Sequence, residues 1–151
     1  MTAALKTALK TLLLTLDEFE DNQEGVVLAD PRVLDMGYDH MIIIWGGAMS
    51  SGNAAGQTID HTNSLLFQAF VRFVDDPTAS AALDAFTKSI VDMLDVYPTL
   101  DGQTDITIET LAGSEPMYIK DAPPANGGPY FLMREFTIEF SERVALNGGE
   151  Y

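Results

Sequence analysis

The residues able to do chemistry in this chain are two histidines, several serines and a large excess of carboxylates. His40 and His61 each follow an aspartate, Asp39 and Asp60. An Asp-His pair can supply a general base together with its orienting carboxylate. Adjacent residues on a strand point to opposite faces, however, so Asp60 does not easily orient His61 itself. The two histidines read as one at a strand edge and one in a loop. A zinc centre would need both of them plus further carboxylates gathered by the fold, because no H-E-x-x-H or comparable spacing is present and the chain has no cysteine.

Other signatures fail in the same way. Ser50-Ser51-Gly52 lacks the G-x-S-x-G frame of a nucleophile elbow. The glycines between Gly46 and Gly56 come without G-K-[ST] or G-x-G-x-x-G, so they make no phosphate cradle. Carboxylate dyads could be drawn almost anywhere in so acidic a chain, which makes abundance uninformative. No catalytic, cofactor-binding or metal-ligating residue is assigned. What stands out is spacing: Asp105 and Glu109 in one segment, Glu135 and Glu139 in another, with Thr107 and Thr137 between them. If the two segments pair as strands, four carboxylates share one sheet face, and like charges placed so close weaken a sheet.

The elements that must position these residues follow from periodicity. Leu5, Leu9, Leu12, Leu16 and Phe19 step by four and three, which predicts an amphipathic helix from Thr2 to about Phe19. Glu20 to Asp39 is an acidic connector with a short strand at Gly25 to Leu28. Met41 to Trp45 is a β-branched apolar run bounded by glycines, the pattern of a strand buried on both faces. Gly46 to Gln57 is small and polar and reads as a flexible hairpin loop. In Ile59 to Val74, Leu65, Phe67, Ala69, Val71 and Phe73 take one face, and Leu66, Gln68, Phe70 and Arg72 the other. That second face is half apolar, which points to contact with another subunit or layer.

Asp76-Pro77 opens a second helix, with aspartate as its N-cap, whose stripe is Leu83, Phe86, Ile90, Met93, Leu94 and Tyr97, and Pro98 stops it. Gln103 to Leu111 alternates as a half-exposed strand, and Met117 to Lys120 is a short extended piece. The loop Ala122 to Pro129 leads to a last strand, Tyr130 to Val144, with Phe136, Ile138 and Phe140 inward. The expected fold is α+β: a single domain over residues 1–151 in the order α-β-β-α-β-β, a mostly antiparallel sheet with helices on one face, and a flexible tail at 145–151.

Composition sets the outer bounds. The 151 residues are 46% hydrophobic and 21% charged, as in one compact domain. Lys+Arg 8 against Asp+Glu 23 leaves a formal charge of −15, which disfavours any broad grip on nucleic-acid phosphates or an anionic membrane. The longest apolar run, Met41 to Trp45, is far short of a membrane span. Lys6, Lys10 and the Asp17-Glu18 ending make the opening segment a helix of the mature protein rather than a signal peptide.

The order of elements, the phrase Phe70-Val71-Arg72-Phe73-Val74, the helix end Tyr97-Pro98-Thr99-Leu100-Asp101-Gly102 and the closing Phe136-Thr137-Ile138-Glu139-Phe140 resemble the tail terminator proteins of long-tailed, siphovirus-like phages and viruses. Glu20 to Asp39 and the insertion at Ala122 to Pro129 have no counterpart in that pattern. The resemblance implies a virion protein of the tail or neck, assembled in the host cytoplasm. It implies a hexameric ring of this chain that caps the tail tube protein, stops its polymerisation and joins it to the head connector or stopper protein. DNA would pass through the ring without specific binding, and no cofactor or membrane is involved. On this view Asp105, Glu109, Glu135 and Glu139 line an acidic channel that repels phosphates. Leu66 and Phe70 form the seam between subunits, and Met49, Ser50 and Asn53 contact the tail tube.

A hexamer would carry a formal charge of about −90, more than a channel lining needs. Asp and Glu in large excess with only four lysines suggest a virus of a halophilic host, where salt screens self-repulsion. Three other readings remain open on the residues alone. One is another neck component, such as a stopper or head-completion protein. The others are a small acidic enzyme using His61 with nearby carboxylates, and a ligand-binding module gripping through the loops at Gly46 to Gln57 and Ala122 to Pro129.

Overall fold

A computed structural model describes residues 2–28, 39–46, 49–53, 58–73, 75–98, 100, 108–119 and 131–145. Its order is α1 (Thr2–Leu13), β1 (Val26–Leu28), β2 (His40–Trp45), β3 (Met49–Asn53), β4 (Thr58–Arg72), α2 (Asp76–Val96), β5 (Ile108–Gly113), β6 (Met117–Ile119) and β7 (Phe131–Ala145). The described strands form one sheet in the order β1-β2-β4-β7-β5, with β3 also on β4 and β6 also on β7. Only β1 and β2 run parallel. The α+β class expected from the sequence is therefore the observed one, with three short strands added to the minimal order.

Two long strands organise the sheet. β4 and β7 pair antiparallel over fifteen positions, from Thr58↔Ala145 to Arg72↔Phe131. Each is flanked by two short strands lying end to end: β2 and β3 along β4, β5 and β6 along β7. The alternation of Leu65, Phe67, Ala69 and Val71 with Leu66, Gln68 and Phe70 decides which face each residue serves. Leu65, Phe67, Phe136, Ile138 and Phe140 join Leu5, Leu9 and Leu12 of α1 and Leu83, Phe86 and Ile90 of α2 in one buried cluster. Both helices thus cover the same face of the sheet. Phe67 and Phe136, cross-strand neighbours, stack with centroids 4.9 Å apart.

Several boundaries differ from expectation, each for a local reason. α1 stops at Leu13 rather than near Phe19, because the chain tightens into i→i+3 bonds (Thr15 N–H to Leu12 O, Leu16 N–H to Leu13 O) while the Thr15 hydroxyl donates to the Leu12 carbonyl at 2.6 Å. Phe19 still reaches the core, through a short 3₁₀ turn at Asp17–Phe19, and meets Phe86 edge-on at 5.7 Å. The N-cap of α2 is Asp75, one residue before the expected Asp76: its carboxylate accepts from Thr78 N–H at 2.9 Å. That bond holds the Asp75 carboxyl below its usual range.

The segment expected as a flexible loop contains β3. Met49–Asn53 pairs with Asn63 to Ile59 because β2 occupies only Leu66 to Val71 of the long β4, leaving the rest of that edge open. The sequence MSSGN carries no apolar alternation, so backbone pairing alone makes this strand. Of the strand expected over Gln103 to Leu111, residues 103–107 lie outside the described residues; β5 covers Ile108–Gly113, and its ladder to β7 shifts between Ile108 and Thr110.

Candidate functional site

The sheet face turned away from the helices divides in two. At one end Met41, Ile43, Phe70, Phe131 and Met133 form a second buried cluster, with Val27, Trp45 and Ile119 packed against it. Phe70 meets Phe131 edge-on at 6.1 Å and is only 3% exposed. The expected pairing of Phe70 with Leu66 as one exposed apolar seam is therefore corrected: Phe70 belongs to a core, whereas Leu66 is half-buried. The two share a face, but the apolar neighbours on β2 and β7 enclose only Phe70.

At the other end the ladders set half-buried residues in cross-strand rows. Trp45, Leu66 and Thr137 form one row, Gln68 and Glu135 the next, Ser64 and Glu139 a third. The Trp45 indole donates to Gln68 Oε1 at 2.7 Å, which fixes the ring against the sheet. Glu135 and Glu139 share this face as expected, but four residues apart on one strand they are separated by roughly 14 Å. Their cross-strand partners on β4 are Gln68 and Ser64, not carboxylates. This spacing exceeds the Debye length of about 8 Å at physiological salt and the span of a glycosidase dyad, so the expected mutual repulsion of this pair is weak.

Glu109 sits on β5 at the register shift between Ile108 and Thr110, and Asp105 lies outside the described residues. Met49, Ser50 and Asn53 stand on β3 against Asn63, Thr62 and Ile59.

The two histidines are far apart. His40 pairs with Val71 at one end of β4, and His61, inside the strand expected over Ile59 to Val74, lies within β4 against Ser51, ten ladder positions or roughly 34 Å away. No site uses both. Among the described residues no group of three His, Asp or Glu side chains is placed to hold a metal ion.

His40 instead packs into the helix–sheet junction, its ring 4.9 Å from Phe86 and its carbonyl accepting from Asn22. Burial holds its imidazole below the ordinary 6.5, against the opposing pull of Glu18 and Asp39. Glu18 accepts from the Ser89 hydroxyl at 2.8 Å through one oxygen, and its other oxygen is buried without a hydrogen bond. Because the fold favours neutral His40, the unfolded chain binds the proton first. Stability attributable to this group is complete above pH 6.5 and declines as pH falls below it. Urea titrations at pH 8 and pH 5.5 are expected to show a larger loss in the parent protein than in His40→Gln; equal losses would place the imidazole in a solvent-like setting.

A cleft of about 360 Å³ opens between α2 and the end of β5, lined by Thr87, Val91, Gly113, Ser114, Glu115, Arg134 and Phe136. Arg134 occupies an inward position of β7, between Leu132 and Phe136, and its side chain is 18% exposed. Its Nη1 donates to Thr87 Oγ1 at 2.9 Å, and Nη2 stands 3.9 Å from Asp84 Oδ1, beyond hydrogen-bond reach. Its Nε is buried without a partner, a state that costs about 1–3 kcal/mol. Sequence reasoning missed this arginine, although a cation interrupting the inward run Leu132, Phe136, Ile138 is the signal that marks it.

No protein-family model matches this chain, and no curated protein matches it. Among the described residues no helix is long and apolar enough to cross a membrane.

Proposed function

We propose that this chain is a structural virion protein of the tail terminator type, which assembles into a ring, caps the tail tube protein and docks the head connector, with DNA passing through the lumen unbound. The observation that carries the reading is the sheet face opposite the helices. There Trp45, Leu66 and Thr137 lie beside Glu135 and Glu139 in half-buried rows that neither helix covers. A mixed face of this kind suits a subunit contact bordering an acidic wall: apolar residues exclude water at the contact, and carboxylates keep phosphates from adhering. The chain charge of −15 acts in the same sense.

The test is the mass of the purified protein by light scattering in low and molar salt, with imaging of large species. A closed ring near six subunits is the expected result in molar salt, where screening offsets repulsion between subunits of like charge. Thermal stability is expected to rise over the same salt range if the acidity is an adaptation to a saline cytoplasm. A monomer in both salts that also fails to cap purified tail tubes would overturn the reading.

A further inference from the structure

We propose that the cleft between α2 and β5 is a binding site for a small monocarboxylate, gripped by the guanidinium of Arg134. The inference is independent of ring formation, because the cleft lies on the helix side of the sheet. Arg134 is the one cation among the lining residues, and its ion pair with Asp84 is long and solvent-exposed. Asp84 Oδ1 is 3.9 Å from Nη2, and the Asp84 side chain is 73% exposed. Nη1 is committed to Thr87 Oγ1, whose own hydroxyl donates to the Leu83 carbonyl at 2.7 Å, so this end of the guanidinium is held in place. Nε is buried, and Nη2, whose nearest carboxylate oxygen is Asp84 Oδ1 at 3.9 Å, is the nitrogen left to donate to a ligand carboxylate.

The other lining groups narrow the ligand class. Ser114 Oγ accepts from Glu135 N–H and donates to the Glu115 carbonyl, so it offers the ligand no free proton. Val91 and Phe136 supply apolar wall for a small hydrocarbon body. Gly113 leaves the space between them open, since a Cβ there would stand 3.4 Å from Phe136 and 3.5 Å from Arg134 Cδ. Glu115 and Asp84 bring negative charge to the neighbourhood of the single guanidinium. A ligand with one negative charge is tolerated there, and phosphate or a dicarboxylate is repelled. Docking places a ligand oxygen on Nη2 in place of the distant Asp84, while Nη1 stays on Thr87.

Benzoate titrated at constant ionic strength, followed by the Arg134 Nε–H resonance and by thermal shift, tests this. Saturable shifts are expected, with phosphate and succinate at least tenfold weaker and chloride without effect. Arg134→Met is expected to weaken benzoate at least tenfold. Gly113→Val, which fills the cleft from an exposed strand end and retains the arginine, is expected to do the same should Arg134→Met fail to fold. Unchanged benzoate affinity in either folded variant, or an equal response to chloride, overturns the proposal.

Discussion

Phe136→Ala is expected to lower the stability of this protein by about 3–5 kcal/mol, the range for truncating a fully buried aromatic side chain. Phe136 is buried on the helix side of β7 and stacks on Phe67 with an interplanar angle of 12°. Its removal takes away both apolar burial and an aromatic pair worth about 0.5–1.5 kcal/mol beyond area. Against a total of about 5–15 kcal/mol for a domain, this is a large fraction. The check is a urea titration, in which the midpoint should fall with little change in slope. An unchanged midpoint would mean that the sheet core does not close around the Phe67–Phe136 pair.

The second large effect separates folding from assembly. Phe70→Asp places a carboxylate in the cluster of Met41, Ile43, Phe131 and Met133, where no cation is among the packed residues. An unpaired charge in such a setting costs several kcal/mol or forces local opening, so this variant is expected to unfold in low and molar salt alike. Leu66→Asp changes a half-buried position whose row neighbours are Trp45 and Thr137. It is expected to remain folded by circular dichroism and to lose the ring mass in light scattering. A Leu66→Asp protein that still forms rings would move the subunit contact off this face. A folded Phe70→Asp protein would show that the second cluster yields easily to water.

Much of the sheet was legible in the sequence because burial on one face imposes a period of two. The inward sets of β4 and β7, the doubly buried β2 and the stripe of α2 all carry apolar residues at the spacing their geometry requires. β3 was not legible, since Met49–Asn53 pairs through its backbone and shows no periodic side chains. The end of α1 was misplaced for a related reason. Leu16 and Phe19 keep the apolar spacing of a helix, and both are buried, yet they are delivered to the core by a turn and a 3₁₀ segment. Periodicity reports which residues are buried more faithfully than the backbone that carries them.

The candidate sites divide along the same line. The sequence alone determined the absence of thiol chemistry, the −15 charge, the α+β class, and the placing of Glu135 and Glu139 on the outward side of their strand. These follow from composition and from the alternation of a single strand. Only the tertiary structure decided that Phe70 is core while Leu66 is not, that His40 on β2 stands beside one end of β4 and His61 near the other, and that Arg134 faces Thr87 across a cleft. Each of those depends on strand register and on which element packs above a given position. Register and packing are set by the summed burial of many residues at once, so no local pattern around Phe70, His61 or Arg134 could contain them.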